Sequence, residues 1–392
     1  MITTINNKHK KLNVPNLRFP EFQGEWEKQK LCDISTIVGR IGFRGYTTND
    51  IVEKGMGAIA LSPTNIVNNQ LTYDKDNTYI SMSKYEESPE IMIKRGDVIF
   101  VKTGSTVGKV AYVDKLICKT TLNPQVVVLK DIKCDNYILS VIMSTRKFQN
   151  KIQRITVGGA VPTLSQVAMG NIFISLPAAE EQEKISKFIS LLDERIATQN
   201  KIIEDLKKLK SAISHILFSS KCAIHLSDIA NVVMGQSPSS NAYNDQGIGM
   251  PLVQGNLDIS NGKTTPRLYT AEFNQTAEEG NIILTVRAPV GEVAKATKKV
   301  CLGRGVCAII PHEENMSDFI YQYLTFYKFM WRRYEQGSTF TSINGSDVRN
   351  IPCPKVRNVS ILTLLDRKIN IEERVIKLYQ SQKQYMLCQM FI

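Results

Sequence analysis

The stretch "GDVIFVKTGSTVGKVAYV" (96–113) returns as "GNIILTVRAPVGEVAKA" (280–296), pairing Gly96 with Gly280, Lys102 and Thr103 with Val286 and Arg287, and Gly108 with Gly291. Three more segments recur in the same order. "KLCDISTIV" (30–38) matches "HLSDIANVV" (225–233), "GGAVPTLSQVAMGNI" (158–172) matches "GSTFTSINGSDVRNI" (337–351), and "FISLLDERIATQNKI" (188–202) matches "ILTLLDRKINIEERV" (361–375). The offset falls from 195 to 173 residues along the chain, with Asp193 above Asp366 and Phe218 above Phe391, so the first copy carries the longer loops. A sequence written twice predicts one architecture built twice.

Taken alone, the first copy of the glycine stretch looks like a phosphate-binding loop. The spacing refuses that reading: only Ser105, Thr106 and Val107 separate Gly104 from Gly108, and Val110 follows Lys109 where the motif needs Ser or Thr. In the second copy Glu292 stands in place of Lys109, opposite in sign to what phosphate requires. The repeated glycines read instead as backbone devices for a turn between two strands.

Each copy ends in a long helical pattern. Apolar residues Ile185, Ile189, Leu192, Ile196, Ile203, Leu206 and Ile213 fall at alternating spacings of four and three, with Gln199 and Lys210 as polar members of the seam. A second stripe, Ile202, Leu206, Leu209, Ile213 and Ile216, widens the apolar face. The later helix offers Leu362, Leu365, Ile369, Ile376, Tyr379, Met386 and Met390. Both seams lie in one chain, so they can close on each other, antiparallel, and a helix of about 40 residues would span ~60 Å. The expected fold is α+β: two strand-rich globular blocks (26–176 and 221–355) separated by two long antiparallel coiled-coil helices (177–220 and 356–392), after a short tail (1–25), as a pseudo-two-fold internal repeat.

Composition narrows the class of partner. The net charge of +12 invites a polyanion, but residues 26–176 carry +6 and residues 222–355 carry 0, so charge alone does not make the second block a DNA binder. Eight cysteines show no C-x-x-C pair and the four histidines are scattered, which points to buried free thiols rather than structural zinc. No apolar run approaches the ~18 residues of a membrane span, and "MITTINNKHKKLNV" lacks a signal peptide's apolar core, so a cytoplasmic location is expected.

With its two-copy plan, its paired glycine-hydroxyl stretches and "ISLPAAEEQEKI" (174–185) at the junction between block and helix, the chain from Trp26 onward resembles the specificity subunits of Type I restriction-modification systems. The second junction, "IPCPKVRNVSIL" (351–362), departs from the pattern by lacking Glu-Glu-Gln. The resemblance implies two target recognition domains, each reading one half of a split double-stranded DNA site. It also implies two helices that dock two methyltransferase subunits and, through them, restriction subunits. No catalysis, cofactor or metal is implied on this chain; S-adenosylmethionine, ATP and magnesium belong to the partners. Accordingly no amino-methyltransferase motif of the form [DNS]-P-P-[YF] occurs, Asn123-Pro124-Gln125 being the nearest and a poor match. A stand-alone methyltransferase or nuclease is the rival enzymatic reading, and a bivalent DNA-binding or coiled-coil adaptor unconnected with restriction is the other alternative.

If DNA is read, side chains reaching base edges specify and those on phosphates position. The first block offers Arg40, Arg44 and Tyr46 in "VGRIGFRGYTT", and Lys102, Thr103, Ser105, Thr106 and Lys109 in "KTGSTVGK". In the second block the matching loops hold Gln236, Ser237, Arg287, Arg304, Thr339 and Thr341. For each one, solvated loop charge is the bland alternative. Thr163 and Ser342 read equally as helix caps or base contacts. Unlike side chains at matching places predict unlike half-sites rather than a palindrome.

Overall fold

The computed structural model describes residues 12–40, 42–73, 76–159, 161–220, 222–333, 342–355 and 358–391. Its contacts group the chain into two units, Met1–Ala197 with Lys377–Ile392, and Thr198–Ile376.

In the first unit, β1 (Thr36–Gly39), β2 (Val98–Val101), β3 (Val110–Tyr112) and β4 (Val126–Lys130) lie in a six-stranded sheet in the order β1-β4-β2-β3, completed by Gln70–Leu71 and Ile66–Val67. Strand residues alternate faces, and in β2 both faces are covered. Val98 and Phe100 enter a core with α1 (Asn136–Ser144) and α2 (Arg146–Ile155), while Ile99 and Val101 pack with Ile59, Leu61 and Leu122 of a second, three-stranded sheet. That is why "VIFV" and "VVVL" are unbroken apolar runs instead of alternating ones. Asp135 and Thr145 start the two helices, accepting from the backbone N–H of Ile138 and Phe148.

Helix α3 (Ala179–Phe218) then runs for 40 residues, the first half of it in this unit. In the second unit β5 (Ala230–Met234), β6 (Ile282–Thr285), β7 (Val293–Lys295) and β8 (Val306–Pro311) take the same order, β5-β8-β6-β7, followed by Lys263–Thr264 and Ile259–Ser260. Ile282 and Leu284 face α4 (Ser317–Tyr327), and Ile283 faces the core of the neighbouring sheet. Among the described residues the second sheet has five strands here and three in the first unit, so the copies differ in the layer that lies away from the helices.

Helix α5 (Ser360–Met390) closes each unit against α3. In the first, Ile185 and Ile189 share a core with Met386, Leu387, Met390 and Phe391; Asp193 pairs with Lys383, and the Arg195 guanidinium lies 4.9 Å from the centre of the Tyr379 ring. In the second, Lys210 Nζ is 2.6 Å from Asp366 Oδ1, Lys207 pairs with Glu373 at 2.7 Å, and Gln199 bonds to Glu372. Rising numbers on α3 meet falling numbers on α5 in both units, so the pairing is antiparallel. The repeat shows in these contacts: Asp193 and Asp366, Gln199 and Glu372, and Lys210 and Lys383 are each 173 residues apart. The Asp–Lys pair of the first unit thus recurs in the second with the helices exchanged, Asp193 with Lys383 and Asp366 with Lys210. Each aspartate is also held by its own block, Asp193 accepting from Tyr137 Oη and Asp366 from Gln322 Nε2, both at 2.6 Å. Burial, and after it the Asp193 carboxylate, push the Tyr137 hydroxyl above its ordinary range, so it stays a donor.

Of the seam residues, Ile189, Ile203, Ile369 and Ile376 are buried, and Leu192, Ile196, Leu206, Ile213, Leu365 and Tyr379 are half-buried. The second stripe behaves differently. Ile202, Leu209 and Ile216 are 40%, 49% and 78% exposed, so they do not widen the internal seam.

The cysteine expectation also needs correction. Cys301, Cys307 and Cys353 are buried, but Cys32, Cys118 and Cys388 are exposed. Burial pushes the Cys134 and Cys307 thiols up to about 12, leaving almost no thiolate at neutral pH. Iodoacetamide at pH 8 followed by peptide mass mapping should label Cys32, Cys118 and Cys388 within minutes and spare Cys134, Cys301, Cys307 and Cys353 until the chain unfolds. Early labelling of Cys307 would contradict the packing of β8.

Candidate nucleic-acid interface

Both units gather loops at one end of the central sheet, and matching backbone bonds build that rim. In the first, Asn123 N donates to Leu61 O (2.9 Å), Val126 N to Asn123 O (3.2 Å), Lys102 N to Gln125 O (2.9 Å) and Leu164 N to Lys102 O (2.8 Å). In the second, Gly303 N donates to Val253 O (2.8 Å), Val306 N to Gly303 O (3.2 Å), Val286 N to Gly305 O (2.9 Å) and Ile343 N to Val286 O (3.0 Å). Turns 123–125 and 303–305 are thus the same turn, wedged between the end of β2 or β6 and the segment beginning at Thr163 or Ser342. Bridges Thr103–Thr163 and Arg287–Ser342 complete the match.

The rim sorts the sequence-derived residues. Lys102, Thr103 and Thr106 are half-buried and Ser105 exposed on the β2–β3 turn. Lys109 leaves the rim, its Nζ donating to Ile66 O at 3.2 Å, which ties the hairpin to the far strand. Arg40 is the clearest correction. Only 5% exposed, it donates to Leu122 O (2.8 Å), Thr121 Oγ1 (3.1 Å) and Arg44 O (3.2 Å), and its guanidinium lies 5.4 Å from the centre of the Tyr46 ring. Burial lowers its pKa, with Tyr46 and the nearby carboxylates acting against that, and burial raises the Tyr46 hydroxyl. Arg40 and Tyr46 therefore brace the loop from within. Arg44 is half-buried, donating to Glu87 O at 3.3 Å and pairing with Glu90 at 3.5 Å.

In the second unit Gln236, Arg287 and Arg304 are exposed on the rim, and Ser237 accepts from Arg304 N through its hydroxyl at 3.1 Å. Thr339 and Thr341 lie outside the described residues. The helix caps fall two residues beyond the expected ones: Ser165 accepts from Ala168 N, and Asn344 accepts from Ser346 N and Asp347 N. Thr163 and Ser342 are taken by the bridges instead, because the chain must pair with the rim before it can turn into a helix.

Among the described residues no group of His, Cys, Asp and Glu is arranged to hold a metal, and no helix is long and apolar enough to cross a membrane. The rim is thus built twice on one backbone plan and carries unlike polar side chains in its two copies. The sequence model of the Type I restriction modification DNA specificity domain matches residues 23–208 and again 223–378. The chain belongs to that family. A relative, described as the putative type I restriction enzyme MjaX specificity subunit of Methanocaldococcus jannaschii, is 28% identical over 374 residues, 88% of this chain and 86% of that one. The fold agrees with solved members. The S subunit of the Type I restriction-modification system from M. genitalium has a TM-score of 0.60 at 17% identity, covering 97% of this chain and 99% of its own. A chain from a study of complex assembly and conformational transition of the type I R-M system has a TM-score of 0.58 at 22% identity, covering 92% and 96%. In this specificity subunit the family model matches once over each strand-rich block, and the rims of the two blocks carry different side chains.

Proposed function

We propose that this specificity subunit reads a bipartite, asymmetric duplex DNA site, the rim of each unit reading one half, and that it directs partner methyltransferase subunits to that site in the cytoplasm. The observation carrying the reading is the conserved backbone of the rim beneath unlike side chains. One turn is Asn-Pro-Gln in the first unit and Gly-Arg-Gly in the second, and the β2–β3 turn offers Lys102 and Thr103 where the second copy has Val286 and Arg287. A shared scaffold with exchanged side chains changes the bases read without changing how DNA is approached. The chain acts as the recognition subunit, and S-adenosylmethionine, ATP and magnesium are used by its partners.

The helices supply a docking surface. Leu364, Ile371, Leu378 and Tyr385 recur every seven residues on α5 at 53–68% exposure, and Ile202, Leu209 and Ile216 repeat the spacing on α3. Apolar stripes of heptad spacing fit partner helices. Each unit presents such residues, so two methyltransferase subunits bind, with restriction subunits joining through them.

Exchange of residues 26–176 for the same block of another specificity subunit, followed by mapping of modified adenines in cells, tests the reading. The expected result is a new sequence in one half of the site with the other half intact. Change in both halves would overturn independent reading, and sequence-indifferent DNA binding by the native complex would favour a plain adaptor.

A further inference from the structure

The tripeptide Asn123-Pro124-Gln125, a failed match to a catalytic motif, sits on the rim of the first unit with a geometry the sequence does not reveal. Its flanks Leu122 and Val126 are fully buried, and Gln125 O accepts from Lys102 N (2.9 Å) and Thr103 N (3.3 Å), so its backbone is fixed. Asn123 Oδ1 accepts from Gln125 N at 2.8 Å, and Asn123 Nδ2 donates to Gln125 Oε1 at 3.3 Å. The first bond is an ordinary Asx turn and needs nothing from the Gln125 side chain. The second does: it holds an exposed carboxamide in one orientation, using one lone pair of Oε1. Among the described residues Nε2 donates to none.

We propose that Gln125, positioned by Asn123, is an adenine-reading side chain for the half-site of the first unit, an inference that rests on the rim being the DNA surface. Adenine offers an N7 acceptor beside an N6 donor in the major groove, and a carboxamide of fixed orientation meets both, Nε2 giving to N7 and Oε1 taking from N6. The second unit supplies the contrast. Its equivalent turn is Gly303-Arg304-Gly305, with Arg304 exposed and a Cβ on Gly305 falling 2.1 Å from Gln254 O, so no side chain fits where Gln125 stands. The pairing of arginine with guanine and glutamine with adenine then makes the two turns readers of different bases.

The test is selection of bound duplexes from a random pool by the full-length chain, its Gln125→Ala and Gln125→Glu variants, and Asn123→Ala. The native chain is expected to require adenine at one position of one half-site. Gln125→Ala should relax that position alone, by about 10-fold; Gln125→Glu should move the preference there toward cytosine, whose N4 amine only donates; Asn123→Ala should weaken the preference without replacing it. Unchanged selection by Gln125→Ala, or weakening uniform across all sequences as for a phosphate contact, overturns the assignment while leaving the rim as a DNA surface. Native chain that selects no sequence overturns both.

Discussion

With one methyltransferase subunit docked on each unit, as proposed, Leu209→Glu combined with Ile216→Glu is expected to reduce the number bound per chain from two to one, and to leave the thermal stability of the chain nearly unchanged. Both side chains are exposed, at 49% and 78%, and lie on α3 away from the seam held by Ile203 and by the pairs Lys210–Asp366 and Gln199–Glu372. Surface substitutions of that kind shift folding by roughly ±0.5 kcal/mol. At an interface the same positions carry far more: central apolar contacts are worth about 2 kcal/mol or more apiece, so two buried charges should weaken docking by ~1,000-fold. The exposed Leu378 and Tyr385 of the first unit are untouched and should still hold one partner. Native mass spectrometry of the purified complex reads the stoichiometry directly. Two partners retained at native affinity would mean that the heptad stripe is not the docking surface.

How far the sequence anticipates this depends on the kind of signal. The glycine turn, the two long helices and the seam are periodic or repeated patterns, and they stand where the repeat puts them. Gln199 and Lys210 are visible in the sequence as polar members of an apolar seam, but their partners Glu372 and Asp366 are not, because pairing depends on register between helices more than 150 residues apart. The exposed stripe read as extra internal packing for a similar reason, since heptad spacing does not say which neighbour will cover it. Arg40 shows the limit most sharply. A glycine-flanked arginine in a loop looks available to DNA, yet two hydrogen bonds reaching Leu122 and Thr121, some 80 residues away in sequence, and a third to Arg44 O place it inside. Conversely, Asn123-Pro124-Gln125 reads in the sequence only as a poor catalytic motif, since its meaning comes from the β2–β3 turn beside it.

The two copies need their repeated glycines for partly different reasons. Gly108 and Gly291 both have positive φ, +101° and +90°, so alanine at either is strained by about 1–2 kcal/mol. Their surroundings diverge. A Cβ on Gly108 would meet Gln149 Oε1 at 2.3 Å, the far end of a flexible side chain, whereas a Cβ on Gly291 would meet Trp331 Cδ1 at 2.1 Å. Trp331 is 1% exposed and packed edge-on to Tyr327 at 5.4 Å, leaving the indole no room to retreat. Overpacking there adds roughly 1–3 kcal/mol. Gly291→Ala should therefore destabilise by about 2–5 kcal/mol, clearly more than Gly108→Ala, in urea titrations of the full chain. Trp331→Leu beside Gly291→Ala should return the overpacking share and leave the backbone share, a coupling that a double-mutant cycle isolates. Because the β6–β7 turn carries Arg287, the same lesion should erase recognition of one half-site before the other. Equal losses from the two alanines would show that backbone conformation alone fixes these glycines and that the indole yields.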